Sequence, residues 1–340
     1  MSKKVSMKDI ATELGVSVAL VSYVLNGKFT NRINVETAEK IRKLAKQHNY
    51  RPNQIAKSLK SSKTYTIGLI IADISNLFYS SIAHFIEEEA NKQGYNVVFG
   101  SAYEDPERFA SILDVFIAKQ VDGLILAVPE GGEKYLERVK EVSLPFVVLD
   151  REFAELDRSM IVNIDNYGAS KVVVEHFQQQ GFTKTAAIAL KTNLKHLQAR
   201  KEGFMETSSQ ALGLREPLFY EVLEKDLEQE IERIILHAVQ VEKVDSLYFF
   251  TNRIAMAGLA VLARFDIAVP EQVAVVCFDE ADAYKIFKRE ITYVQQPLKE
   301  MSQMAVQKIL NPEIRKLKKI FQTKLIVKES TNQIIDNEKL

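Results

Sequence analysis

Apolar runs alternate with helical segments over most of this 340-residue chain, and that alternation restricts its fold more than any other feature. Seven runs have the length and composition of buried strands: 66–72, 96–100, 123–128, 146–150, 186–190, 247–250 and 273–278. Between most of them lie segments with apolar residues at helical spacing, namely 78–93, 107–119 and 167–180. Strands that alternate with helices form parallel sheets with crossover helices, so the sequence predicts α/β domains.

Polar residues follow several of these predicted strands directly. Ligands of parallel α/β sheets bind beyond the carboxyl ends of the strands. The sequence therefore predicts a ligand site built from residues at these ends: Asp73, Asp150, Asp165, Asn252 and Asp279.

Residues 1–63 differ from the rest of the chain in charge. They carry 13 Lys or Arg and 4 Asp or Glu, while the whole chain has a net charge of zero. A basic module on an acidic body suggests a polyanion as the partner of that module. A basic surface that is merely solvated is the alternative interpretation of the charge alone.

The pattern within residues 6–47 predicts three short helices. Ser6 and Asp9 favour a helix start, and Gly15 can end that helix with a positive φ. Ser17 can cap a second helix, and Asn34 can open a third. Two short helices joined by a tight turn and braced by a third form a helix-turn-helix module.

The second predicted helix has two different faces. Its apolar face, which should pack inside the module, consists of Leu20, Val21, Val24 and Leu25. Its opposite face consists of Val18, Ala19, Ser22, Tyr23 and Asn26. In a helix-turn-helix module the second helix enters the DNA major groove, so the sequence predicts base contacts from this opposite face. A small helical bundle without a binding face is the alternative.

A short helix is predicted after Pro52, over about 53–61. Such a short helix is marginal in water on its own, so a partner must order it. The charges of Lys57, Lys60 and Lys63 indicate DNA, and an exposed Leu59 suits a wedge inserted into the minor groove. A flexible polar linker is the alternative interpretation.

The stretches "MKDIATELGVSVALVSYVLNG" and "NYRPNQIAKSLKS", with the chain beyond them, resemble the LacI family of bacterial transcription repressors from about Met7 to about residue 330. The resemblance implies an all-α helix-turn-helix head and an α/β core like periplasmic binding proteins, with two doubly wound parallel-sheet subdomains. The implied boundaries are a head at 1–62, a core at 63–340, one subdomain at about 63–164 plus 294–322, and another at about 165–293 plus 323–340. It also implies a homodimer on a pseudo-palindromic operator.

By the same resemblance, Val18, Ala19 and Tyr23 occupy the principal base-reading positions, and Leu59 of the hinge helix pries open a central base step. Many members have arginine where Tyr23 stands. The complete set of expected DNA contacts is Ser17, Val18, Ala19, Ser22, Tyr23, Asn26, Asn53, Ala56, Lys57, Leu59 and Lys60.

The resemblance also implies a small effector in a cleft between the subdomains, most simply a carbohydrate or related metabolite. The matching stretches are "NLFYSSI", "VVLDRE", "NIDNYGAS", "QARKEGF" and "VCFDEAD". The expected effector contacts are Phe78, Tyr79, Asp150, Asp165, Arg200, Asn252 and Asp279. Carboxylates accept hydroxyl hydrogens, arginine donates in a fork, and aromatic rings cover a ring face. An Asp after a strand that only caps a helix is the alternative for each carboxylate.

The chain departs from the family pattern around this cleft. Asn252 stands where an acid is usual, and Cys277-Phe278 stand where a glycine and a tyrosine are usual. The chain contains no tryptophan that could stack on a sugar. A modified carbohydrate, a phosphorylated or acidic metabolite, and control by a protein partner or corepressor all remain compatible with these departures.

The sequence does not predict an enzyme, a metal site or a cofactor. Its five histidines are scattered without metal-ligand spacing, and no glycine-rich loop that could cradle phosphate is present. Cys277 ends an apolar run, where a buried inert thiol is expected. The other class considered is a solute-binding protein of transport, but the start of the chain is a basic helix-turn-helix and lacks a signal peptide. With one cysteine and no apolar run of membrane-spanning length, a cytoplasmic regulator with no membrane partner is expected.

Overall fold

The computed structural model describes residues 5–27, 29, 32–50, 63–153 and 156–332. The chain divides into two compact units between Thr64 and Tyr65. The segment 53–61 lies outside the described residues, so the hinge helix and its expected DNA contacts remain predictions. Among the described residues, no helix combines the length and apolar composition needed to cross a lipid bilayer.

The first unit contains three helices, α1 Met7–Leu14, α2 Val18–Leu25 and α3 Val35–Gln47. Its buried core consists of Ile10, Ala11, Val21, Val24, Ala38, Ile41 and Ala45. On α2, Val21 and Val24 are buried and Leu20 and Leu25 pack against this core, as the apolar face predicts. A small core therefore fixes α2 with its opposite face outward.

The second unit is a layered α/β structure with two six-stranded sheets. Its first half contains β1 Thr66–Ile71, α4 Leu77–Lys92, β2 Asn96–Ser101, α5 Pro106–Ala118, β3 Gly123–Leu126, α6 Leu136–Glu141, β4 Phe146–Leu149, β5 Ile161–Ile164 and α7 Asn166–Gln179. Its second half contains β6 Thr185–Leu190, α8 Lys195–Ala211, β7 Leu218–Val222, α9 Leu227–Leu236, β8 Ser246–Phe249, α10 Asn252–Arg264, β9 Ala274–Phe278, α11 Ala283–Ile286, β10 Thr292–Gln295, α12 Leu298–Leu310, α13 Pro312–Arg315, β11 Ile320–Phe321 and β12 Lys324–Ile326.

The two sheets share one topology. Sheet 1 has the strand order β11-β5-β4-β3-β1-β2, and sheet 2 has the order β12-β10-β9-β8-β6-β7. All pairings are parallel except that of β10 with β12, which is antiparallel. The predicted fold class is confirmed, and each of the seven predicted strands overlaps an observed strand. The sequence does not predict β5, β7, β10, β11 and β12.

The chain passes between the two sheets at three places. These crossings lie after Ile164, between Gln295 and Leu298, and between Phe321 and Lys324. The first and third crossings are bonded to each other, since the Asp165 N–H donates to the Phe321 carbonyl at 2.9 Å. Each subdomain therefore contains segments that are distant in sequence.

Helices α7 and α8 pack unusually closely on one face of sheet 2. A Cβ atom on Gly203 of α8 would lie 2.3 Å from the Tyr167 carbonyl oxygen of α7, so only glycine fits there without a shift. This close approach fixes the position of Arg200, which lies one helical turn before Gly203 and faces the sheet ends.

Candidate functional sites in the head and in the core cleft

The second helix of the head begins with a well-defined turn. Ser6 and Asp9 form a reciprocal capping box on α1, and Gly15 ends that helix with a φ of +64°. The Ser17 hydroxyl then accepts a hydrogen bond from the Leu20 N–H at 3.1 Å and starts α2. Ser17 therefore acts as a helix cap, which positions the first turn of α2.

The outward face of α2 presents a mixed apolar and polar surface. Val18 is 44% exposed and Tyr23 is 40% exposed, and Ala19 lies exposed beside them. The Tyr23 ring packs edge-on against the ring of Phe29 at 5.0 Å between centroids. Phe29 was not predicted, and its role in orienting Tyr23 depends on a loop conformation that the helix pattern does not indicate.

The polar members of this face bond to their own helix. The Asn26 side-chain amide donates to the Ser22 carbonyl at 2.7 Å and approaches the Ser22 hydroxyl at 3.3 Å. The side chains of the other expected contacts on α2 form no hydrogen bond to their own helix among the described residues. These contacts are Val18, Ala19 and Tyr23.

Two carboxylates occupy equivalent positions in the two sheets of the core. Asp150 directly follows β4 and Asp279 directly follows β9, the corresponding strand of sheet 2. Both have a left-handed backbone, with φ of +67° and +66°. Aspartate tolerates this conformation better than most residues, and such conformations concentrate at ligand sites.

Arg200 lies close enough to both carboxylates to interact with their charges, and it is only 3% exposed. Its Nε donates to the Asn166 side-chain oxygen at 2.8 Å, and its Nη1 donates to the Phe250 carbonyl at 2.8 Å. The guanidinium carbon lies 3.4 Å from the centre of the Phe278 ring. Phe278, which replaces the usual tyrosine, thus offers a π face to this cation.

Tyr79 connects Asp150 to an ion pair that the sequence did not predict. The Tyr79 hydroxyl donates to Asp150 Oδ2 at 3.3 Å and accepts from Arg151 Nη2 at 3.2 Å. Arg151 also donates to Glu104 Oε2 at 2.9 Å and to the Val128 carbonyl at 2.7 Å. Arg151 follows Asp150 directly in sequence, but its pairing with Glu104 joins the ends of two different strands.

Burial raises the pKa values of both aspartates. Burial is the main cause for Asp150, and the charges of Arg200 and Arg151 oppose it. Burial raises the pKa of Asp279 to about 6, although Arg200 and the Gln296 amide, which donates to Asp279 Oδ1 at 2.6 Å, favour the ionised form. Hydrogen bonds donated by polar groups of a ligand would replace the hydrogen bonds to water that these carboxylates lose on burial.

Among the described residues, two sets of hydrogen bonds join the subdomains across the cleft. On one rim, the Asn252 amide donates to the Asn76 side-chain oxygen at 3.1 Å. On another, Glu130 accepts from the Asn193 amide at 2.8 Å and from the Thr192 hydroxyl at 3.1 Å. Bonding to Asn193 is the main reason that the pKa of Glu130 is lowered. Hydrogen bonds between side chains of the two subdomains therefore close the cleft in this structure.

The remaining expected contacts lie at the margins of this cluster. Phe78 is buried and packs edge-on against the Tyr79 ring at 4.9 Å. Asp165 lies at the first crossing, where it caps α7 by accepting from the Gly168 N–H at 2.8 Å. The helix-capping alternative therefore describes what Asp165 does in this conformation.

Among the described residues, four openings lie around the closed centre. Their volumes are about 450, 830, 280 and 620 Å³, a range typical of small-molecule sites. Neither Asp150 nor Arg200 lines any of these four openings.

Three buried polar atoms around the centre have no hydrogen-bond partner among the described residues: Arg151 Nε, His196 Nδ1 and Gln296 Oε1. Unsatisfied buried polar atoms are costly, and a ligand that bonds to them would remove that cost. The sequence alone does not indicate these three residues as ligand contacts. Arg151 and His196 are next to or near predicted contacts, but only the fold shows that their side chains are buried.

Among the described residues, no group of three His, Cys, Asp or Glu side chains is placed to hold a metal ion. Cys277 is buried, and burial raises the pKa of its thiol, so its reactive thiolate form is disfavoured.

Comparisons with known proteins cover both units. Residues 6–53 match the family described as "Bacterial regulatory proteins, lacI family". Residues 64–327 match "Periplasmic binding proteins and sugar binding domain of LacI family". The HTH-type transcriptional regulator RegA of Clostridium saccharobutylicum is 31% identical over 96% of this chain and 99% of its own length. Catabolite control protein A of Staphylococcus xylosus is 29% identical over 86% of this chain and 88% of its own length.

Solved structures share the fold. The lac repressor dimer bound to operator and the anti-inducer ONPF superposes with a TM-score of 0.81 and 18% identity, over 97% of this chain and 99% of that one. A complex of the transcriptional regulator CelR with cellobiose superposes with a TM-score of 0.66 and 22% identity, over 96% of this chain and 99% of that one. Both structures extend the likeness across the head and the core.

Proposed function

Because the chain belongs to the LacI family of bacterial regulatory proteins, we propose that it is a DNA-binding transcriptional repressor controlled by a small effector in the core cleft. It acts as a homodimer on a pseudo-palindromic operator. Its relatives are transcriptional regulators, in agreement with the expectation that the chain is not an enzyme. We infer that it works in the cytoplasm, because a regulator of transcription acts where the DNA is.

The observation that carries this proposal is the outward face of α2, which has the size and chemistry for a major groove. Val18 and Ala19 are at the start of the helix, where groove-binding helices contact base edges. Their methyl groups can pack against thymine methyls, and the Tyr23 hydroxyl can reach a base or a phosphate. Ser17, Ser22 and Asn26 support this surface through their bonds to the helix and add polar contacts at its edge.

The hinge segment completes the DNA-binding surface in this proposal. Asn53, Ala56, Lys57 and Lys60 contact the operator backbone, and Leu59 enters the minor groove at the centre of the site. A wedge of this kind selects a deformable base step, because unstacking a stiff step costs more.

The cleft provides the chemistry for a polyhydroxylated effector. Asp150 and Asp279 accept hydroxyl hydrogens from two sides, Arg200 donates between them, and Tyr79 and Phe78 add aromatic surface. Asn252 contributes an amide where many relatives of this fold have an acid. Support comes from the burial of these side chains and from the unpartnered polar atoms beside them.

Effector binding changes DNA affinity by shifting the angle between subdomains. An effector that prefers one angle shifts the population by no more than its differential affinity for the two states. Because the two subdomains touch through polar side chains of the cleft, an effector that replaces those contacts changes the preferred angle.

The test is selection of the full-length protein on random-sequence DNA, followed by the same selection with the Tyr23→Ala variant. The proposal predicts an enriched pseudo-palindrome with a flexible central step, and a changed base at one symmetric half-site position in the variant. A Leu59→Ala variant should lose affinity for the selected site much more than for unrelated DNA. Absence of any enriched sequence at low salt, with or without candidate effectors, would contradict the proposal.

A further inference from the structure

The helix α2 carries few of the side chains that recognise a base through hydrogen bonds. The stretch Val18–Leu25 contains no charged residue and no side-chain amide. Asn26, which follows it, donates its amide to the Ser22 carbonyl of the same helix at 2.7 Å. Guanine is read most often by Arg or Lys, and adenine by Asn or Gln. The outward face of α2 therefore lacks the usual means of reading either purine.

What this face offers instead is apolar surface. Val18 and Tyr23 are exposed, and Phe29, which lies beside Tyr23, is 56% exposed. The apolar group that DNA presents in its major groove is the 5-methyl group of thymine. A face of this composition thus matches A·T pairs better than G·C pairs.

The Tyr23 ring has a fixed neighbour. Its centroid lies 5.0 Å from that of the Phe29 ring, and the two ring planes make an angle of 77°. This edge-to-face arrangement is one of the two that aromatic pairs prefer. An exposed side chain otherwise changes rotamer within nanoseconds. Contact with Phe29 therefore restricts the orientation of the Tyr23 ring.

The backbone of Phe29 is unusual for an aromatic residue. Its φ is +56°, in the left-handed region, and its carbonyl accepts a hydrogen bond from the Arg32 N–H at 2.9 Å. A bulky residue with a positive φ is an outlier, and such conformations concentrate at functional sites. The chain thus keeps an aromatic side chain at a position that would favour glycine or asparagine, which is explained if the ring contributes to DNA recognition.

We propose that Phe29 is a positioning residue for Tyr23, and that the Tyr23 ring held in this way packs against the methyl group of a thymine in each operator half-site. The ring recognises the methyl group by apolar contact, so it selects an A·T pair. Phe29 acts through Tyr23 by fixing the plane of its ring. This inference rests on the proposed function and names the chemical group of the operator that this part of α2 reads.

The test compares operators that differ only in methyl groups. Selection on random-sequence DNA with the full-length protein and with Tyr23→Ala identifies the half-site position that Tyr23 reads, where we expect an A·T pair. Deoxyuridine, which lacks only the 5-methyl group, then replaces that thymine in both half-sites. Fluorescence anisotropy at constant salt gives the affinity for the two operators. We expect a loss of about fourfold for each half-site, as for one apolar carbon withdrawn from contact.

The ratio of the two affinities, which we call the methyl ratio, is then measured for variants. Tyr23→Ala and Phe29→Ala should each bring it to within about twofold of one, whereas Phe29→Tyr keeps the ring and should restore it. The matched control is Val35→Ala, which shortens a 71%-exposed apolar side chain of the same unit and should leave the ratio unchanged. Because one protein preparation binds both operators, a loss of folded protein cancels in the ratio.

The outcomes separate this inference from the proposed function. A G·C pair at the position read by Tyr23, or an operator affinity that deoxyuridine does not alter, would show that Tyr23 does not contact a methyl group. An unchanged methyl ratio in Phe29→Ala, or a ratio that Phe29→Tyr does not restore, would show that the Phe29 ring does not position Tyr23. Each of these results overturns the inference and leaves the proposed function intact, because a pseudo-palindrome has been selected. If none is selected, the proposed function fails and this inference fails with it.

Discussion

The change Asp279→Asn should stabilise the core while weakening its response to effector. Asn keeps the shape of the side chain and can still accept the Gln296 hydrogen bond through Oδ1, but it removes the negative charge. Burial of that charge is unfavourable on balance, because the pKa of Asp279 is raised from 3.8 to about 6 despite the attraction of Arg200. The variant therefore loses a destabilising charge and not a net stabilising contact.

The size of this destabilisation follows from the difference between the pKa of Asp279 in the folded protein and its ordinary value. Each pKa unit corresponds to about 1.4 kcal/mol, so ionised Asp279 reduces stability by about 3 kcal/mol at neutral pH. From pH 3.8 to 6 the folded protein retains a proton that the unfolded chain has released, so stability declines as the pH rises through this window. About half of the loss is present at pH 5, and the loss is complete above about pH 7.

Scanning calorimetry of the full-length protein at pH 5.0 and 7.5 measures this effect. We expect Asp279→Asn to raise the midpoint of the core transition at both values, by about 6 °C at pH 7.5 and about half as much at pH 5.0. The control is Asp282→Asn, which removes the charge of a fully exposed carboxylate three residues away and should change the midpoint by less than about 1 °C. A gain that is equal at both pH values, or a loss at pH 7.5, would refute the reasoning.

Three further predictions follow from contacts in the head, at the cleft and in the helix packing. Tyr23→Ala should alter the preferred base at one half-site position in a DNA selection, and a uniform loss of affinity would instead make Tyr23 a backbone contact. Glu130→Ala removes the acceptor of the Asn193 side chain, so the amide hydrogens of 192–193 should exchange at least about tenfold faster; unchanged exchange would show that this rim does not hold the cleft closed. Gly203→Ala places a Cβ 2.3 Å from the Tyr167 carbonyl and should destabilise the core by about 1–3 kcal/mol in urea unfolding, and an unaltered midpoint would mean that α7 and α8 separate freely.

The architecture could be predicted from the sequence because its central strands are strongly apolar. The runs that become β3, β4, β8 and β9 are buried on both faces, so nearly every residue in them is apolar. The edge strands could not be predicted in this way. Strand β11 has only two residues, and its conformation depends on pairing with β5, which its own sequence does not encode.

The sequence also indicated the positions of Asp150 and Asp279, because both directly follow apolar runs. It did not indicate the ion pair of Arg151 with Glu104, whose partners are 47 residues apart and meet only when their strands end at the same sheet edge. His196 Nδ1, which has no hydrogen-bond partner among the described residues, is a similar case. Whether a buried atom has a partner depends on every residue around it in the fold. The local sequence pattern therefore predicts which residues lie at strand ends. The hydrogen bonds and ion pairs between those residues can be identified only from the folded structure.

The three crossings between the sheets have a mechanical consequence. A single connection would let one subdomain swing or twist in any direction, whereas three connections, two of them hydrogen-bonded together through Asp165 and Phe321, leave mainly one rotation free. Gln296 belongs to another of the crossings and holds Asp279 in the cleft. A molecule that competes with Gln296 for Asp279 thus acts directly on one of the connections about which the subdomains rotate. Its binding free energy therefore acts mainly on the angle between the two subdomains.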